Sequence, residues 1–334
     1  MAVRRDTLSS VKRVLRVALA TLAVLALAGA AAGVWLWNDP VRSFELAMAA
    51  GRARAGVAER FVEIDGNRWR VLDTVVAAPA PSTDGPRRVC LVLHGLGTTA
   101  EAMMDVARIL PETHRVVIPD LPGFGDHAPH GDAPHDWRFY IDSVERFRVH
   151  EGLGEVDVVG TSMGGAFAAA YAATYPESVR RIVLLSPAGV VAPRQNDFMA
   201  RVAAGELPLD IKDDASFDEM LRLNFPKPPP IPAPVRAEFI ARAFERRDAF
   251  LRIVEDLRPF LVQGVEPMMR DIKAPALVLY GSLDLITDPS MIEVWRAGLP
   301  SMEGEVLDDA GHVLLYDKPE EVGERMRAFL GRGD

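Results

Sequence analysis

The sequence predicts an α/β protein: a mainly parallel sheet with helices on both faces, one long helical insertion, and a transmembrane helix ahead of the rest. Three observations predict it. Short apolar runs without alternation, VCLVL, RVVIP, VDVVG, RIVLLS and ALVLYG, read as strands buried on both faces. Helical patterns separate these runs, and that β-α-β alternation is how a chain returns to add the next parallel strand. The rhythm breaks only between residues 189 and 265, an interval far longer than an ordinary connection.

At 334 residues, 49% of them hydrophobic, the chain is long enough for one large α/β domain with an insertion, or for two smaller domains. Residues 1–37 carry Arg4, Arg5, Lys12, Arg13 and Arg16 against Asp6, about +4, and the formal charge of the whole is -9, so the remainder is about -13. An acidic body without a basic patch argues against nucleic-acid binding. Cys90, the single cysteine, lies in VCLVL and reads as a core residue.

Taken in order, residues 1–16 form a basic N-terminus and residues 17–37, VALATLAVLALAGAAAGVWLW, are 21 uncharged residues, enough to cross a bilayer as a helix. The basic flank precedes the span, which places the N-terminus in the cytoplasm and the main body outside, periplasmic in a Gram-negative cell. A cleaved signal peptide, with secretion, is the competing expectation, because AGAAAG could satisfy a peptidase. Residues 38–58 read as a helical stalk with no turn signal before Gly56. FVEI and RWRVLDTVV read as strands around the turn at Asp65, Gly66 and Asn67, followed by the polar, Pro-rich loop APAPSTDGPRR. Residues 59–188 and 266–334 then make up the core. Within 189–265, Phe239, Ile240, Ala243 and Phe244, then Phe250, Ile253, Val254 and Leu257, recur at helical spacing behind the stiff link KPPPIPAP, which predicts a helical cap over a site.

The chemistry centres on GTSMGG, residues 160–165. G-x-S-x-G is the spacing of a sharp strand-to-helix turn, and here the apolar strand VDVV enters it while an alanine-rich helix leaves it. A serine hydroxyl is a poor nucleophile, so Ser162 needs a base and a group to orient that base. His312, in DDAGHVLLYDKPEE, follows the expected last strand GEVL, and Asp284 stands just past the end of ALVLYG, where open α/β sheets place ligand-contacting residues. Asp288 is the alternative acid; Asp308 and Asp309 read as solvated loop carboxylates. The oxyanion of such chemistry needs two amide donors. LHGLG, residues 93–97, offers one, and the expected pair is the amides of Leu96 and Met163. His94 reads as a loop-fixing residue. DHAPHGDAPHD, residues 126–136, gathers His127, His130 and His135, but it lacks metal-ligand spacing and reads as a surface loop near the mouth of the site. No metal and no cofactor is expected.

LHGLG, PDLPGFGD, GTSMGG, LLSPAG, APALVLYGSLD and DAGH, in that order, make the chain from about residue 60 onward similar to the α/β-hydrolase superfamily. More narrowly it resembles membrane-anchored monoacylglycerol lipases and related bacterial lipases, which combine an N-terminal anchor with a cap resembling NFPKPPPIPAPVRAEFIARAF. The resemblance implies the α/β-hydrolase fold, a Ser162, Asp284, His312 triad, Leu96 and Met163 as oxyanion donors, and an amphiphilic carboxylic ester with a hydrophobic acyl chain as substrate. Two residues depart from the pattern: those relatives commonly carry an aromatic residue at the place of Leu96 and Asn at the place of Thr161. Two alternatives stay open, the same triad acting on a carbon-carbon, amide or thioester bond, and a non-catalytic lipid-binding protein on the hydrolase fold.

Overall fold

A computed structural model describes residues 33–35, 37–74, 87–110, 114–125 and 134–332. Most of the expected membrane span 17–37, with the basic residues before it, lies outside the described residues. Among the described residues no helix is long and apolar enough to cross a membrane.

The strands are β1 (Ala58–Ile64), β2 (Asn67–Asp73), β3 (Arg88–Leu93), β4 (His114–Pro119), β5 (Val156–Thr161), β6 (Val179–Leu185), β7 (Ala276–Gly281) and β8 (Glu303–Leu307). The helices are α1 (Pro40–Ala55), α2 (Met104–Ile109), α3 (Trp137–His150), α4 (Met163–Thr174), α5 (Asp197–Ala203), α6 (Asp214–Asn224), α7 (Ala233–Glu245), α8 (Arg247–Pro259), α9 (Met291–Gly298), α10 (Leu314–Asp317) and α11 (Pro319–Leu330). One sheet carries the strands in the order β1-β2-β4-β3-β5-β6-β7-β8. The expected hairpin is present: Ile64 pairs with Asn67 across Asp65 and Gly66, both at positive φ, as a two-residue turn requires. β2 runs antiparallel to β1 and β4, and the pairs from β4 to β8 are parallel.

After β3 the chain goes outward to β4 and then crosses back to β5 on the other side. That reversal opens a crevice at the carboxyl ends of β3 and β5, where doubly wound sheets bind ligands. Alternate residues of each strand feed two cores. Leu91, Leu93, Val158 and Val278 pack with Phe147 of α3 and Phe167 of α4. Cys90, Val92, Val159 and Leu279 pack with Val106 of α2 and with Val322 and Met326 of α11. Each fully buried Val or Leu contributes roughly 1.5–3 kcal/mol, which is why these strands are apolar on both faces.

The segment expected as a stalk is α1, and it lies against the insertion rather than standing apart from the domain. Asp39 caps it by accepting from Arg42 N–H at 3.1 Å, Pro40 starts it, and Gly56 at φ 67° ends it. Arg242 of α7 reaches Glu45 at 2.5 Å and lies over the Phe44 ring at 4.4 Å, fixing helix to helix. The insertion consists of α5 to α8. Its helical stripe splits: Ile253, Val254 and Leu257 are buried, whereas Phe244 is 61% exposed. α8 ends at Pro259 in a π turn whose Phe260 stacks on Trp137 and Phe167, seating the return of the insertion on the core.

Candidate active site

Four loops converge at the carboxyl ends of β3, β5, β7 and β8. Ser162 occupies the turn from β5 into α4 at φ 53° and ψ -118°, a backbone conformation that costs a non-glycine residue of order 1–3 kcal/mol. The surrounding main chain enforces it. Ser162 N–H donates to Leu185 O at 2.9 Å, and its carbonyl accepts from Ala166 and Ala188, each at 3.1 Å. The flanking glycines are there for space: a Cβ on Gly160 would meet Gly164 O at 2.1 Å, and one on Gly164 would meet Leu93 O at 2.2 Å. Sequence spacing and steric necessity therefore agree at this turn.

The loop after β3 runs beside the serine, so that a Cβ on Gly95 would lie 3.6 Å from the Ser162 Cβ. Leu96 lines the same cavity as Ser162. Met163 is the first residue of α4, so its N–H belongs to the helix-end donors without an intrahelical acceptor. His94 fixes this loop: its Nε2 accepts from Leu121 N–H at 3.0 Å, and its Nδ1 lies 2.9 Å from Gly95 O. The imidazole is therefore the Nδ1–H tautomer, and complete burial lowers its pKa, which keeps it neutral. Beneath the loop, Asp120 accepts from Ala100 N–H at 2.8 Å and from Arg70 at 3.1 Å, while Arg70 also binds Glu101. Burial would raise the Glu101 pKa, but the hydrogen bonds and charge of Arg70 override it and hold that carboxyl at about 2.

Asp284 and His312, 28 positions apart, are in contact: His312 Nδ1 lies 2.8 Å from Asp284 Oδ2. Both are nearly inaccessible, at 4% and 6% exposure. Asp284 Oδ1 also accepts from the N–H groups of Ile286 and Thr287 at 2.8 and 3.0 Å, and Oδ2 accepts from Thr287 Oγ1 at 2.8 Å. An ionised carboxylate is acceptor-only, and donors surround this one. Thr287, which also sits 3.2 Å from His312 Nδ1, escaped the sequence reading; its signal was its place three residues after Asp284, the spacing of a local side-chain turn. Asp317, also missed, accepts from Gly311 N–H at 2.8 Å and so braces the residue before His312. The alternative acid, Asp288, lies elsewhere, paired with Arg194 at 3.1 Å and capping Ser290 N–H at 2.9 Å. Asp308 and Asp309 are exposed.

Ser162 and His312 face one cavity of about 130 Å³ with walls that include Leu96, Leu185, Met220 and Ile286. A second cavity of about 290 Å³ adjoins it, the two sharing Gly97, Thr98, Leu209, Ile211, Phe239 and Phe250. Phe44, Met48 and Arg52, at successive four-residue steps on one face of α1, form a wall of the larger space. The sequence reading of residues 38–58 as a stalk did not place this helix at the site.

Of the histidine-rich loop, His127 and His130 lie outside the described residues. His135 is buried rather than on the surface, its ring edge-on to Phe139, and its main-chain N–H donates to Asp256 Oδ2 at 2.9 Å. Asp136 caps α3. Among the described residues no group of three or more His, Cys, Asp or Glu is placed to hold a metal.

A family model described as the alpha/beta hydrolase fold matches residues 89–319. The chain is 29% identical over 245 residues to a lipase of Psychrobacter immobilis, covering 72% of this chain and 75% of that one. It is 26% identical over 265 residues to a monoacylglycerol lipase of Homo sapiens, covering 74% and 76%. Its structure is similar to that of a bacterial membrane phospholipase A, with a TM-score of 0.81 and 31% identity across 93% of this chain and 97% of the other.

Proposed function

Because the chain belongs to the alpha/beta hydrolase fold family, we propose that it is a membrane-tethered serine hydrolase that cleaves carboxylic esters with hydrophobic acyl chains. The observation that carries the proposal is the 2.8 Å contact of His312 Nδ1 with the buried Asp284 carboxylate, in a cavity shared with a serine on a strained turn. Nδ1 is engaged by Asp284, so Nε2 is the nitrogen for proton transfer. It takes the proton of Ser162 as Oγ attacks the ester carbonyl, and Asp284 stabilises the imidazolium that forms. The amides of Leu96 and Met163 receive the oxyanion, an interaction worth about 3–4 kcal/mol per donor in the transition state. Collapse expels the alcohol with the proton from His312. Water, deprotonated by the same imidazole, then attacks the acyl-enzyme and releases the acid.

The relatives support the bond and the substrate class, since their names are lipase, monoacylglycerol lipase and membrane phospholipase A. The apolar cavity wall suits an acyl chain. Residues 17–37 serve as the membrane anchor in this proposal, with residues 1–16 cytoplasmic, the domain outside, and residues 189–265 as a cap. An anchored enzyme meets amphiphiles where they concentrate, and α1, starting at Pro40 just after that span, brings the larger cavity toward the bilayer side.

The test is hydrolysis of p-nitrophenyl esters from acetate to palmitate by the full chain in detergent, beside Ser162→Ala. Preference for medium or long chains, reduced about four orders of magnitude or more by the substitution, is the expected result. Turnover that survives in Ser162→Ala overturns the proposal.

A further inference from the structure

Ser162 is held entirely by core backbone, from Leu185, Ala188 and its own helix. The acid and the base sit on loops that the insertion grips. At its start, Asn196 Nδ2 donates to Leu285 O at 3.1 Å and to Ile286 O at 3.3 Å, the two residues directly after Asp284. The same side chain caps α5 through Oδ1, which accepts from Met199 N–H at 2.9 Å. Arg194 adds a bond from its main-chain N–H to Ser290 Oγ at 3.1 Å and the pair with Asp288.

The second grip is at the end of α6. The last carbonyls of a helix have no intrahelical donor. Here the final residue, Asn224, offers its carbonyl to the N–H of His312 at 3.0 Å and of Val313 at 3.4 Å. Phe225 stands edge-on to Tyr316 at 5.1 Å, and the approach is so close that a Cβ on Gly311 would meet Pro226 Cδ at 2.5 Å and Asn224 O at 2.9 Å.

We infer that Asn196 and the Asn224 carbonyl are positioning groups, and that the insertion sets the distance between the catalytic pair and Ser162. The insertion is then part of the catalytic framework as well as a cover, and this inference rests on the Ser162, Asp284, His312 proposal. A displacement of α5 and α6 relative to the core shifts the pair while leaving the serine in place, and a misplacement of about 1 Å costs roughly a hundredfold in rate.

Two variants test it in the full chain, with kcat and KM for a p-nitrophenyl ester and the thermal midpoint measured together. Asn196→Asp keeps an acceptor for the α5 cap but loses both amide donors to the acid loop. Gly311→Ala forces α6 away from the base loop, and adding Pro226→Ala removes the nearer of the two groups it strikes while the Asn224 carbonyl at 2.9 Å remains. Each single variant is expected to lower kcat about tenfold or more with KM within twofold, and Pro226→Ala is expected to restore part of the Gly311→Ala loss. Glu219→Gln, which breaks an ion pair to Arg201 at 2.5 Å within the insertion, is the control and keeps wild-type kcat. Wild-type kcat in both single variants overturns the inference, as does a loss that follows the thermal midpoint and is not relieved by Pro226→Ala. A wild-type chain with no ester turnover is the failure of the parent proposal instead, since it precedes any variant.

Discussion

Ser162 and His312 face the same cavity, yet they are held there in opposite ways. The serine turn is fixed by the core: β5 enters, α4 leaves, two glycines within two residues on either side give the backbone its room, and the main chain of Leu185 and Ala188 holds it. The histidine is assembled from a distance, its ring oriented from Asp284, its backbone from Asn224, and the residue before it from Asp317. The candidate site joins one part held by the core sheet to another whose main chain is also held by the insertion.

The largest expected effect separates these halves. Gly164→Val places side-chain carbon on the main chain of Leu93 and His94, so it is expected to abolish folding of the domain, seen as loss of soluble protein and of a cooperative thermal transition. Asp284→Asn, by contrast, leaves the volume unchanged and keeps an acceptor for Ile286 and Thr287 N–H. It is expected to lower kcat by about 10⁴ with the thermal transition still cooperative, because the imidazole loses its orientation and its counter-charge. If Gly164→Val folds and labels normally, the steric account of the turn is wrong.

How much of this was legible follows the same division. All eight strands and the serine turn stand in the sequence: β3 to β7 because strands buried on both faces need unbroken apolar runs, β1 and β2 from their turn at Asp65 and Gly66, β8 as the short run GEVL, and the serine turn because it needs its glycines at fixed offsets. Asp284 and His312, which the structure brings into contact, were singled out by their places after strands, but Thr287, Asn196 and Asn224 were not. The contacts of Asn196 and Asn224 depend on which loop the insertion meets, and Asn224 makes its contact through a main-chain carbonyl that any residue would supply, whereas Thr287 was overlooked in a local turn beside Asp284. The docking of α1 was equally hidden, since its contacts to α7 join residues about two hundred positions apart, such as Glu45 and Arg242.

A smaller effect probes that helix. Met48→Trp fills part of the larger cavity without touching Ser162 or His312, so kcat/KM for a palmitate ester is expected to fall about tenfold while an acetate ester loses less than about twofold. Equal losses on both esters would mean that the cavity takes no part of the substrate.

The last is read as stability against pH and not as rate, and it concerns the loop beside the serine. The folded Glu101 pKa, about 2, lies below its ordinary value of 4.5, so its stabilisation is fully present above about pH 4.5 and is lost as pH falls toward 2. Glu101→Gln is expected to cost on the order of 3 kcal/mol at neutral pH, at about 1.36 kcal/mol per pKa unit over the interval from 4.5 to about 2. Denaturant unfolding should show the difference from wild type closing as the pH is lowered through that window, and a difference independent of pH would contradict the assignment.

The most direct test of the central claim is reaction of the full chain with a fluorophosphonate, followed by mapping of the modified peptide by mass spectrometry. The account predicts one covalent adduct, on Ser162, absent from Ser162→Ala and strongly slowed in Asp284→Asn. A folded protein that takes no label, or takes it on another residue, would contradict it.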